Sequence, residues 1–191
     1  MSDKSTRAHI VEAADQLFYQ QGFEHTSFAH IAEVVKISRG NFYYHFKTKD
    51  EILDAVIYLR LSKTQIMLDK WLIEGGTPVE RIRCFINILI LNREKIKHFG
   101  CPVGTLTSEL AKLKHAAQKD ATKLFSLFRF WLKSQFQLLG HMKNADELAM
   151  HLLARSQGVA TMACAFNDEK FIKQEVTQLY EWLDHYVDSA T

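Results

Sequence analysis

Residues 36–49 read KISRGNFYYHFKTK and hold Lys36, Arg39, Lys47 and Lys49, with His45 among them and no acidic side chain. Across the whole chain 24 Lys and Arg stand against 22 Asp and Glu, a formal charge of +2, so the basic strip is hidden by averaging. A near-neutral total says little about partners, whereas a local excess of one sign does. Ser38, Arg39, Gly40 and Asn41 open the strip, and Tyr43 and Tyr44 follow. Arginine and asparagine are the types that pair bidentately with base edges, the first with guanine and the second with adenine. Tyrosyl hydroxyls, histidine and lysine reach phosphates, and a glycine lets backbone come close. These are the parts of a helix-turn-helix whose second helix enters the major groove of DNA.

Short helices joined by tight turns must carry such side chains. A first helix from about Ser5 to Gln21 is predicted from the stripe Ile10, Ala13, Ala14, Leu17 and Phe18, with Gly22 as its stop. Thr26 or Ser27 caps a second, with Phe28, Ile31, Ala32 and Val35 on one face. Lys36-Ile37 makes the link, and Ser38 caps a third, Arg39 to Phe46. Thr48-Lys49-Asp50-Glu51 has the form of a capping box and opens a long helix to about Ile73.

Residues 5–53 resemble the TetR family of bacterial transcription regulators. The likeness lies in LFYQQGFEHTS at the end of the first helix, then FAHIAEVVKISRGNFYYHFKTKDEIL. The family commonly places Ala-Gly-Val in the turn, where this chain has Val35-Lys36-Ile37. By position, the resemblance implies phosphate contacts from Thr26 and Ser27. It puts Arg39, Gly40, Asn41 and Tyr44 near bases, and Tyr43, His45 and Lys49 at the DNA backbone. Phe42 and Phe46 are expected in the core.

The rest of the chain has few breakers: two Pro and eight Gly in 191 residues, with three stretches of 33 to 35 residues holding neither. That spacing is incompatible with a β-sandwich, whose turns recur about every 8–12 residues. An all-α fold of about nine helices is expected, with a helix-turn-helix domain at 1–48 and a larger ligand-binding and dimerisation domain at 49–191. Thr77-Pro78-Val79-Glu80 is a second capping box, which favours helix over strand for the β-branched run after it. His98–Gly104 reads as a loop before a short helix from Thr105. A long aromatic helix follows from about Gln118 to Leu139. Asn144 caps the next, to Phe166, and Asn167 or Asp168 caps the last. No apolar run is long enough to cross a membrane, and the three scattered Cys suit a reducing compartment, so a bacterial cytoplasmic location is expected.

The last two helices carry apolar stripes suited to a homodimer, through Leu152, Val159, Met162 and Phe166 on one and Val176, Leu179, Leu183 and Tyr186 on the other. The family resemblance implies a four-helix interface from them. It also implies a small-molecule pocket, for which Trp71, Phe85, Phe99, Leu106, Leu110, Phe128 and Trp131 would suit a hydrophobic or aromatic effector. Cys101, in Gly-Cys-Pro-Val-Gly before a helix, suggests an electrophilic effector instead. GCPVGTLTSEL is similar to a G-C-x-x-G-x-x-x-x-E pattern in one TetR subgroup. No cofactor, metal site or catalytic residue is expected, and the x4 spacing of His25 and His30 is read as incidental. The reading is therefore a repressor released from a palindromic double-stranded DNA operator by a small molecule. The alternative is an all-α enzyme or adaptor with a fortuitous helix-turn-helix-like N-terminus. No H-E-x-x-H or P-loop motif supports that alternative.

Overall fold

The computed structural model describes residues 3–188. Among them ten helices and no strand follow one another: α1 (Asp3–Gln21), α2 (Phe28–Val35), α3 (Arg39–His45), α4 (Lys49–Glu74), α5 (Pro78–Leu91), α6 (Arg93–Phe99), α7 (Pro102–Lys112), α8 (Gln118–Leu138), α9 (Ala145–Phe166) and α10 (Glu169–Asp188). The fold is all-α, as the sparse breakers imply. The interval from 105 to 139 is interrupted once, after α7, where Lys114 takes a left-handed φ of 51°. None of the described helices is long and apolar enough to cross a membrane.

Two compact units divide the chain. The first runs up to Lys63 and takes in Thr105–Lys123. Its core joins Ile10, Ala14 and Phe18 of α1, Ile31 of α2, Phe42 of α3, Phe46, and Ile52 and Leu53 of α4 to Leu106, Leu110 and Ala121. A partly buried ion pair ties two of these helices, Arg60 Nε donating to Asp15 Oδ1 at 2.6 Å. The second unit holds Thr64–Gly104 and everything described from Leu124 onward. Its core is built from α5, α6, α8, α9 and α10, with Leu68 from α4. Helix α4 therefore contributes to both cores.

Local chemistry explains most of the boundaries. At α5 both arms of the predicted box form, with Glu80 N–H donating to Thr77 Oγ1 at 3.3 Å and Thr77 N–H to the Glu80 carboxylate at 2.7 Å. That contact, led by the Thr77 backbone hydrogen bond, holds the Glu80 carboxyl below its ordinary value. At α4 the box is shifted by one residue: Glu51 N–H donates to Thr48 Oγ1, but the Glu51 carboxylate accepts from Lys47 N–H.

The run continuing from α5 breaks at Asn92, whose amide donates to the Ile88 carbonyl at 3.0 Å, and this break makes α6 a separate helix. The expected loop at 98–104 is much shorter than its sequence suggests. His98 and Phe99 finish α6, and α7 already starts at Pro102. Proline is preorganised for a first helical turn, so it opens this helix instead of preceding it. Both residues proposed as the final cap have a role. Asn167 ends α9 in the left-handed region, while Asp168 Oδ1 accepts from Lys170 N–H and Phe171 N–H.

Candidate nucleic-acid interface

The α2–α3 turn is built at Lys36, where the family that the sequence resembles commonly has glycine. Lys36 ends α2 at φ 58° and ψ 45°, its N–H donating to the carbonyls of Ala32 and Glu33. A side chain in that region costs about 1–2 kcal/mol relative to ordinary backbone. The lysine therefore adopts the glycine's conformation at some loss of stability and adds a cation beside α3.

Helix α3 divides cleanly between a face that anchors it and a face that projects. Phe42 and Phe46 are both 1% exposed. The Phe28 ring lies 5.0 Å from Phe42, and the Arg7 guanidinium sits 4.6 Å from the Phe46 ring centre. Ser38 caps the helix by accepting from Asn41 N–H. Arg39, Gly40, Asn41, Tyr43 and Tyr44 are exposed on the other side, as is Ser38 itself. Tyr44 is the most open of the aromatics at 69%, while Tyr43 rests its edge on Phe28 at 5.5 Å. His45 is partly buried with its ring 5.2 Å from Tyr44. Polar side chains of the types that pair with base edges thus stand on a helix whose orientation is fixed by two phenylalanines.

Two of the predicted DNA contacts do other work. Thr26 is 1% exposed, and its hydroxyl donates to the Gly22 carbonyl at 2.7 Å while accepting from Gln21 Nε2. Burial removes it from a phosphate-facing surface, and its role is to close the α1–α2 turn. Lys49 Nζ donates to the carbonyls of Phe23 and Glu24 at 3.1 and 3.2 Å and lies 4.3 Å from the Phe23 ring centre. Ser27, next along, is exposed and caps α2 by accepting from His30 N–H.

The same turn reveals a residue that sequence reasoning did not assign to this site. The N–H groups of Phe23 and Glu24 donate to the two carboxylate oxygens of Glu109 on α7, both at 2.9 Å. Lys49 thus holds the carbonyls of Phe23 and Glu24, and Glu109 holds their N–H groups. Gly22 fits this clamp: its φ is 89°, and a β-carbon there would sit 3.0 Å from Glu109 Oε1. His115 packs its edge on Phe23 at 5.3 Å and approaches Asp50 Oδ1 at 3.4 Å. Its Nδ1 accepts from Ala117 N–H, which leaves Nε2 as the protonated nitrogen facing Asp50. The only sequence signal for Glu109 was its place at the end of the G-C-x-x-G-x-x-x-x-E pattern.

The remaining predicted residues separate into two groups. Trp71, Phe85, Cys101, Phe128 and Trp131 gather around the core of the second unit, with Phe85 and Phe128 at 5.4 Å and Trp71 and Trp131 at 5.6 Å. Phe99 is partly buried at the end of α6. Leu106 and Leu110 do not join them. Both are buried in the core of the first unit, because they follow Gly104 on the part of α7 that belongs there. Cys101 is partly buried. At Gly104, three residues after it, a β-carbon would lie 2.3 Å from Gln157 Oε1, so the Gln157 side chain would have to swing aside.

Of the predicted dimer contacts, Leu152, Val159, Val176, Leu179 and Leu183 are buried within the chain's own core. The deepest apolar stripe of each helix goes to the interior, so these five are corrected to core residues. Met162 and Phe166 stay exposed, the latter at 77%, and Tyr186 is partly buried against Trp182 and His141. Ala154, Gly158 and Ala165 share that outer side of α9 with them.

Residues 10–56 match the family model described as bacterial regulatory proteins, tetR family. The chain is 43% identical to the HTH-type transcriptional regulator TtgR of Pseudomonas putida, with 97% of this chain and 91% of that protein covered. It is 25% identical to the HTH-type transcriptional repressor DhaR of Mycobacterium sp. strain GP1, over 96% of this chain and 94% of that one. Among solved structures, a TetR transcriptional regulator from Legionella pneumophila superposes with a TM-score of 0.80 at 26% identity, covering 93% of this chain and 94% of that chain.

Proposed function

This chain belongs to the TetR family of bacterial regulatory proteins, and on that premise we propose that it is a homodimeric repressor which leaves a near-palindromic operator when a small aromatic molecule binds its second unit. The observation carrying the DNA reading is the split of α3, with Phe42 and Phe46 buried and Arg39, Asn41 and Tyr44 exposed beside a strip without acids. Arg39 and Asn41 read base edges in the major groove. Ser27, Ser38, Tyr43 and His45 take phosphates, together with Lys36 and Lys47. Thr26, Lys49 and Glu109 hold the turn that orients α2.

One helix-turn-helix reads a short half-site, and two recognition helices about 34–36 Å apart on one DNA face give the specificity a repressor needs. The partner contact runs along the outer side of α9, where Gly158 and the alanines allow close approach and Met162 and Phe166 supply apolar area. Repression is the reading that fits DhaR, a relative named as a repressor. An aromatic effector is favoured over an electrophilic one by the paired indoles of Trp71 and Trp131. Effector binding acts by preferring a conformation whose recognition helices do not fit the operator. Helices α4 and α7 each carry residues of both units, so moving either displaces Lys49 or Glu109. The reading as an enzyme or adaptor is not favoured, since the relatives described above are transcriptional regulators or repressors.

Selection from a random duplex library tests the division of labour on α3. Tyr43→Ala is expected to weaken binding to all sequences alike. Asn41→Ala is expected to lose about 1–3 kcal/mol of discrimination at one adenine position in each half-site. Enrichment of the same sequences with equal discrimination by Asn41→Ala and wild type would refute base reading by Asn41.

A further inference from the structure

Two buried side-chain donors among the described residues have no acceptor: Trp131 Nε1 and Arg81 Nε. Trp131 is 8% exposed, and a buried indole N–H ordinarily finds a partner. Both belong to one cluster in the second unit. Gln135, one turn after Trp131 on α8 and 1% exposed, accepts from Arg81 Nη1 at a long 3.4 Å. Its own amide donates to Ser134 Oγ at 2.9 Å, and that hydroxyl donates to the Trp131 carbonyl. The Arg81 stem is held against the end of α4, where a β-carbon at Gly75 would meet its Cγ at 2.8 Å and the Trp71 carbonyl at 2.4 Å. Trp71 then brings its indole to 5.6 Å from that of Trp131.

This cluster is short of negative charge as well as of acceptors. Among the described residues Arg81 makes no ion pair, and the neutral Gln135 carbonyl at 3.4 Å does not offset a guanidinium. A water would satisfy an N–H but bring no charge to the guanidinium, whose Nε is buried although the residue is partly exposed. A carboxylate supplies both a charge and two acceptor oxygens, and a guanidinium fork is the donor that matches it. The two tryptophans make the surroundings aromatic, and Trp71 and Arg81 are each partly exposed, so the cluster is reachable from solvent. We infer that Arg81 and Trp131 form the head-group subsite for an aromatic carboxylic acid, the guanidinium and the indole N–H donating to its carboxylate while Trp71 packs on its ring. This deepens the proposal that the second unit binds an aromatic effector and rests on it.

Calorimetric titration of the full-length protein with benzoate and 1-naphthoate, each beside its neutral amide, tests the assignment. Wild type is expected to bind the better of the two acids at least about tenfold more tightly than its amide, the usual reach of a charge-assisted hydrogen bond. Arg81→Leu should bring acid and amide to equal affinity. Trp131→Phe keeps a ring and removes the donor, and it should weaken the acid several-fold with less effect on the amide, which gives a second arm if Arg81→Leu does not fold. Equal affinity for acid and amide in wild type, an acid preference that survives Arg81→Leu, or no binding of either acid would overturn the inference. A mobility-shift assay with operator separates the two levels. Operator release by the amide without acid preference keeps the effector reading and sinks the subsite. Tight acid binding that never releases operator keeps the subsite and sinks the effector reading.

Discussion

Glu109→Ala is expected to weaken operator binding by about tenfold to a hundredfold, although Glu109 is assigned no contact with DNA. Its carboxylate accepts from Phe23 N–H and Glu24 N–H at 2.9 Å each, and hydrogen bonds to a charged group are worth about 1.5–3 kcal/mol. Without them the turn keeps only Lys49, on the two carbonyls of the same residues, and Thr26, on the Gly22 carbonyl. The segment then samples other conformations, and binding must bear the cost of ordering it. Glu109→Gln keeps one acceptor oxygen and should fall between wild type and alanine. Two further readouts mark positioning rather than contact. Amide exchange at Phe23 and Glu24 should accelerate in Glu109→Ala, and the salt dependence of binding should keep its slope, because no phosphate contact is removed. Wild-type affinity in Glu109→Ala would mean that the turn needs no clamp.

Phe42→Ala should produce the largest loss of stability of any single change on α3, about 3–5 kcal/mol by urea unfolding. The ring is 1% exposed and packs at 5.0 Å against Phe28. Removing it leaves a cavity in a core that must hold three short helices, and α3, at seven residues, is too short to persist without packing. Tyr43→Ala, at a position 47% exposed, should cost far less. Operator affinity should fall in both variants, and a loss of less than 1 kcal/mol in Phe42→Ala would remove the anchor from this account.

The sequence was most legible where signals are local. Capping at Ser38, the full box at Thr77 and Glu80, and the anchoring role of Phe42 and Phe46 depend on residues within one or two turns, and each is found as read. It was least legible where burial depends on distant partners. Thr26 sits beside Ser27 in sequence, yet it is buried under Gly22 while Ser27 is exposed. Lys49 looks like surface lysine until the carbonyls of Phe23 and Glu24, some 25 residues earlier, claim its ammonium. The dimer stripe failed for a related reason. A heptad-like pattern identifies the most apolar face of a helix, and in α9 and α10 that face closes the chain's own core. What α9 leaves exposed is the shallower face with Gly158, Met162 and Phe166. Leu106 and Leu110 were grouped with the aromatic residues by proximity in sequence, but α7 passes into the first unit at Thr105.

The proposed function stands or falls on binding of duplex DNA by α3 and its basic strip. The measurement that tests it most directly is operator affinity as a function of salt, by fluorescence anisotropy with a selected duplex. Two protomers each offering Lys36 and Lys47 to phosphates predict that log K falls linearly with log salt at a slope steeper than about −3, at roughly −0.9 for each phosphate neutralised. Replacing both Lys36 and Lys47 by alanine should make that slope shallower. A slope near zero, or one unchanged by those replacements, would contradict the assignment of DNA binding to this strip.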